Sequence, residues 1–154
     1  MTYAVIRVRG TVNINPDIKK TLQLFNLTRA NHCVIVEEKP SIKGMLQVAK
    51  DYITWGEIEK DVLTKLIISR GRLEGDKQIN EKYLKSATSY ASFDKLSEAI
   101  IENKIKYKDI PKVKPIFRLN PPKKGFEGLK RSYKNKGALG FRGKDINKLI
   151  ERMI

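Results

Sequence analysis

The side chains able to do covalent chemistry are few: one histidine, His32, stands beside one cysteine, Cys33. On a strand, neighbouring side chains point to opposite faces, so the two do not form a nucleophile–base pair. Cys33 is expected in the core and His32 at a strand start. One Cys and one His cannot make a zinc site, and a disulfide within the chain is impossible. The remaining chemistry is electrostatic. The 154 residues carry 32 Lys+Arg against 17 Asp+Glu, a net charge of +15. Such a field draws a polyanion, for which nucleic acid is the default, with an anionic membrane surface as the rival.

The charge is uneven. Residues 1–56 hold 8 basic and 4 acidic side chains, residues 57–105 hold 9 of each, and residues 106–154 hold 15 and 4. Within the last third, Lys123, Lys124, Lys130, Arg131, Lys134, Lys136, Arg142 and Lys144 interleave with Phe126, Tyr133 and Phe141. Cations neutralise phosphates, and aromatics stack on unpaired bases or pack on ribose. The glycines at 125, 128, 137, 140 and 143 allow close backbone approach. The bland reading is a solvated basic tail with its aromatics packed on the domain.

Arg7 and Arg9 share one strand face, which, left open, lies on RNA; the alternative is a face covered by residues 57–154. In Ser41-Ile42-Lys43-Gly44-Met45, Lys43 and Gly44 sit in a first helical turn, where free N–H groups suit a phosphate. Lys19, Lys20, Arg29, His32 and Arg118 complete the RNA-contact set, with Tyr133 its aromatic member. Gly140-Phe141-Arg142-Gly143 before a helix is similar to the phosphate loop of acylphosphatases, where the Arg holds phosphate. There, however, the loop follows the first strand. No Walker-type loop or acidic metal cluster is present, and no enzyme activity or cofactor is expected.

The elements that position these residues follow from periodicity. Residues 3–9 alternate as a strand, with Ala4, Ile6 and Val8 expected on the core face. Asn15-Pro16 caps a helix with Ile18, Leu22 and Phe25 inward, and Asn26 stops it. Residues 32–36 read as a central strand, Pro40-Ser41 starts a second helix, and residues 52–55 are a third strand. Strand–helix–strand–helix–strand in under 60 residues implies an α/β sandwich, a ferredoxin-like β-α-β-α-β core with both helices on one face. Residues 57–70 form a third helix, with weaker ones at 80–86 and 93–102. Prolines 111, 115, 121 and 122 rule out a long helix thereafter. Residues 116–119 suggest an edge strand, 123–144 show little periodicity, and Ile146, Leu149, Ile150 and Met153 mark a terminal helix. The expected organisation is one structural unit with a core over 1–56, a helical addition over 57–105 packed on it, and a basic extension over 106–154 that ends in a short helix. The extension is expected to order on RNA and to be dispensable for folding. No apolar run reaches membrane-span length, and residues 1–5 lack a signal-peptide layout.

Ala4-Val5-Ile6-Arg7-Val8-Arg9-Gly10 resembles the large-subunit ribosomal protein L-thirty family, called L-seven in eukaryotes. So do Thr21-Leu22, Leu24-Phe25, Leu27, Arg29, His32 and Val34, then Met45-Leu46, Val48-Ala49 and Tyr52-Ile53. Lys114-Pro115-Ile116-Phe117-Arg118-Leu119-Asn120-Pro121-Pro122 and the Gly-rich terminus are similar to the longer archaeal and eukaryotic form. The resemblance implies a ferredoxin-like sandwich and a structural role on large-subunit ribosomal RNA, near the 5S RNA and beside neighbouring ribosomal proteins. It further implies a cytoplasmic ribosome and no cofactor, membrane or small-molecule substrate. The missing basic N-terminal arm and the Lys- and Ile-rich composition suggest an archaeal source. A non-ribosomal RNA-binding module is the alternative, and an acylphosphatase-like enzyme the remote one.

Overall fold

The computed structural model describes residues 1–154. The first strand, β1 (Thr2–Arg7), is buried along its whole length. The continuous apolar run Tyr3-Ala4-Val5-Ile6 causes this: a strand apolar on both faces belongs at the centre of a sheet covered on both sides. Helix α1 (Pro16–Leu24) starts where the Asn15 side chain accepts the Asp17 N–H, with Pro16 at the first position. It stops at Asn26, whose φ of 60° lets Leu27 N–H reach back to Leu22 O at 2.9 Å. Then follow β2 (His32–Glu37), α2 (Pro40–Ala49) and β3 (Ile53–Glu57). β1 lies between β2 and β3 and is antiparallel to both. The expected β-α-β-α-β core is therefore present, with α1 and α2 on one face.

Residues beyond 57 add a second helical layer and three more strands. The helices are α3 (Lys60–Arg70), α4 (Glu81–Ala87), α5 (Phe93–Ile101) and α6 (Ile146–Met153). The strands are β4 (Phe117–Arg118), β5 (Gly128–Ser132) and β6 (Gly137–Phe141). The sheet order is β4-β2-β1-β3-β6-β5. β6 pairs parallel to β3, and β5 joins β6 through a broken register.

Two cores flank the sheet, and they correct the expected face of β1. Tyr3 and Val5, not Ala4 and Ile6, face α1 and α2, packing with Leu22, Phe25, Leu46 and Trp55. Ala4 and Ile6 face the added helices, in a larger core with Leu63, Leu66, Leu96 and Ile100. That core draws on the last third of the chain through Phe117, Leu119, Ile146, Leu149, Ile150 and Met153. Phe117 is fully buried, a contribution of about 1.5–3 kcal/mol by transfer alone. Residues 106–154, expected as an extension, thus supply part of this core. The physical reason is that three strands expose two apolar faces, and α1 and α2 cover one.

Close backbone approach fixes the new layer. A Cβ at Gly56 in β3 would lie 2.0 Å from Gly143 O and 2.9 Å from Ile146 Cβ, so only glycine lets the start of α6 press onto the sheet. Asn147 then accepts Glu59 N–H at 2.9 Å and donates to Glu57 O at 3.1 Å, tying α6 to the start of α3. The Thr64 hydroxyl donates to Ser97 Oγ at 2.8 Å, joining α3 to α5.

Candidate nucleic-acid interface

The strand register sorts the charges to the two ends of the sheet. At one end β1 runs out through Arg7-Val8-Arg9-Gly10. Its antiparallel neighbours begin there: Asn31 N–H donates to Arg7 O at 2.7 Å, and Val8 and Arg9 N–H both reach Tyr52 O. β6, parallel to β3, also begins there, and β4 ends there with Arg118 opposite His32. Phe126 packs on Val8, Ala138 and Leu139, bringing the Lys123–Lys124 segment to the same end. Arg9, Arg29, Arg118, Lys123, Lys124, Lys134 and Lys136 therefore converge on one end, although sequence separates them by more than a hundred residues.

The other end gathers carboxylates that lysines of the chain neutralise. Thr2 and Tyr3 sit opposite Glu37 and Glu57, and Glu38 N–H donates to Met1 O. Lys39 and Lys106 pair with Glu37, Lys43 with Glu38, and Lys60 with Glu98. Lys43, expected in the RNA-contact set, thus lies 2.6 Å from a carboxylate and apart from the basic end. Gly44 beside it is exposed, and an added Cβ would meet nothing within 4 Å, so packing on a strand does not demand glycine there.

Around residues 123–144 the ion pairs are made by Arg142, Lys148 and Arg152. Lys123, Lys124, Lys130, Arg131, Lys134, Lys136 and Lys144 are exposed without a carboxylate partner. Lys130 and Arg131 lie on β5, the edge strand, every residue of which is exposed. Lys19, Lys20 and Arg29 are likewise exposed and unpaired. Arg9 stacks over the Tyr52 ring at 4.9 Å. Lys50, by sequence an ordinary helix-end cation, caps α2 and is exposed two residues before Tyr52 at the basic end.

Besides Lys43, four further expected contact residues prove to be engaged within the chain. Arg7 is 3% exposed, not on an open face. Its guanidinium donates to Leu27 O at 2.7 Å, Arg9 O at 2.9 Å and Gly10 O at 3.1 Å, so it pins the two loops flanking α1. Arg142 is also buried; it donates to Thr54 Oγ1 and to Ala138 O at 2.8 Å, and lies over the Tyr133 ring at 4.8 Å. A guanidinium held so cannot serve as an acylphosphatase-type phosphate clamp. Tyr133 is half-buried beneath Arg142 and donates its hydroxyl to Asp145, which removes it as a free stacking platform. Arg118 is exposed but shares Asp76 with Lys114.

His32 is buried at the basic end, with its Nδ1 3.5 Å from the Thr28 hydroxyl. Burial, reinforced by the charges of Arg118, Arg29 and Arg7, holds its pKa below the usual histidine value, so at neutral pH the ring is uncharged. Cys33 is fully buried, and burial raises its thiol pKa; it is an inert core residue.

The family model "Ribosomal protein L30p/L7e" matches residues 3–53, which run from β1 to the start of β3. A protein of Methanocella arvoryzae is 47% identical over 151 residues, covering 98% of this chain and 99% of the relative. One of Methanosphaera stadtmanae is 48% identical over 152 residues, covering 99% of each. One of Thermoplasma volcanium is 48% identical over 151 residues, covering 98% of this chain and 92% of the relative. All three are described as large ribosomal subunit protein uL30. Identity at this level over nearly the full length means that the chain belongs to the uL30 family of ribosomal proteins.

Proposed function

We propose that this chain is a structural constituent of the large ribosomal subunit, docked on ribosomal RNA through the basic end of its sheet and the exposed β5 edge. The family is structural and non-enzymatic, and its relatives are named as proteins of the large subunit. Its members work in the cytoplasmic ribosome; no helix of this chain is long and apolar enough to cross a membrane.

One observation carries the reading of the interface: cations, all but the half-buried Arg9 exposed and all but Arg118 without a carboxylate partner, gather where β1, β2, β3, β4 and β6 meet. Free guanidinium and ammonium groups are the donors that phosphates take, with loss of condensed counterions. The rigid sheet fixes their spacing, so folded RNA is recognised by the disposition of its backbone. Lys19, Lys20, Lys43, Gly44 and Lys144, outside the cluster, are secondary contacts in this reading. A position near the 5S RNA is its finest part and rests on the family resemblance alone.

The test is a binding titration of the full chain on large-subunit ribosomal RNA across salt concentrations, with co-sedimentation in salt-washed particles. Contact with on the order of 5–10 phosphates predicts a steep fall in affinity with salt. Salt-independent binding would overturn the phosphate mechanism, and absence from washed large subunits would overturn the ribosomal role.

A further inference from the structure

The outer edge of β2 is only partly paired. Its register against β1 sets Val34 opposite Val5 and Val36 opposite Tyr3, and Glu38 N–H donates to Met1 O at 2.9 Å. Antiparallel alternation from that bond turns the N–H and C=O groups of Cys33, Ile35 and Glu37 away from β1. β4 takes up Cys33 through Phe117. Extending the same register would bring Pro115 opposite Ile35, and proline has no N–H to give. The ladder ends there, leaving the outward groups of Ile35 and Glu37 without a backbone partner.

Two hollows of about 160 and 150 Å³ adjoin this open edge, both lined by Ile35 and Val36 of β2. Ile42 and Tyr107 line both, Ile105 lines the first, and Met45 and the exposed Leu24 line the second. Lys39, Lys106 and Lys108 stand round the trough against the single carboxylate of Glu37, so its rim is net cationic.

From this arrangement we propose that the open edge of β2 accepts an extended segment of a neighbouring protein as an added strand, in which apolar residues alternate with acidic ones. The inference rests on the ribosomal reading for the identity of the neighbour as a protein of the same particle. A peptide backbone supplies donors and acceptors at the two-residue repeat that Ile35 and Glu37 present. Alternate apolar side chains enter the trough, and carboxylates meet the three lysines. RNA fits less well: it would set phosphates beside Glu37 and has no regular row of donors for the two carbonyls.

The experiment places a photoreactive benzoylphenylalanine at Leu24 in the full chain, incorporated into large subunits in cells. Irradiation of the purified, salt-washed subunits is expected to give a crosslink to one protein of the particle. Ile35→Pro deletes an outward N–H and leaves Glu37 and the lysine rim unchanged; it should cut the crosslink at least fivefold with unchanged co-sedimentation. If that variant does not fold, Lys106→Glu with Lys108→Glu should give the same loss by repelling the acidic segment. Crosslinking to RNA alone, no crosslink, or a protein crosslink that ignores these substitutions would overturn the added strand while leaving the ribosomal role standing. A chain that never enters the particle would remove both.

Discussion

The Arg142 Nε donates to the Thr54 hydroxyl at 2.9 Å, and that hydroxyl donates onward to Gly140 O at 2.9 Å. The pair joins β3, complete by residue 57, to β6, which the chain reaches some eighty residues later. Arg142 N–H also donates to Trp55 O at 2.9 Å, so backbone and side chain fasten the same crossing.

Thr54→Val keeps the shape but leaves Arg142 Nε and Gly140 O without this partner. Thr54 is fully buried, so the cost should be about 1–3 kcal/mol, with Thr54→Ser largely neutral. Urea unfolding midpoints measure it. Equal stability of the Val and Ser variants would show that the bridge contributes nothing.

A chain ending at residue 105 should lose its cooperative melting transition. It would lack Phe117, Ile146, Leu149, Ile150 and Met153 of the larger core, and would expose Ala4 and Ile6. A sharp thermal transition in the truncated chain, followed by circular dichroism, would contradict this account and restore the last third as a dispensable arm.

Arg131→Ala with Lys134→Ala should leave thermal stability unchanged or slightly raised, because both side chains are exposed among other cations. On ribosomal RNA the same double variant should bind more weakly, with a salt slope lower by about 1–2 units. A lowered melting temperature with unaltered affinity would assign the two residues to the fold.

Stability should fall as pH drops through the histidine range. The folded His32 pKa lies below its unfolded value of about 6.5, so the unfolded state takes up the proton first. The neutral-ring contribution is complete above that value and is lost as pH falls toward the folded pKa. His32→Gln should remove this share of the pH dependence. Phosphate bound beside Arg29 and Arg118 offsets their charge, so RNA should raise the His32 pKa. Ring-proton NMR titrations of the free and bound chain measure both; a free value at or above 6.5 would refute the argument.

Local rules acted where they had no rival, and there the sequence sufficed. Asn15-Pro16 and Asn26 bounded α1 because capping and the left-handed stop are decided within a few residues. The apolar spacing of Ile146, Leu149, Ile150 and Met153 marked α6 in the same way, and the excess of unpaired cations announced a polyanion partner. The strands β5 and β6 were not legible, because Gly128, Gly137 and Gly140 interrupt the two-residue period and because pairing with β3 supplies bonds that no local pattern encodes. Nor could a sequence distinguish Arg7 and Arg142, buried against carbonyls, from Arg9, half-buried over Tyr52, and Arg131, exposed on β5: all four are cations near strand ends, and only the loops and helices that close over two of them separate engaged from solvent-facing guanidinium groups. Which arginines spend their donors within the fold was settled by tertiary packing, since a guanidinium's five donors go to whatever acceptors the folded chain brings within reach.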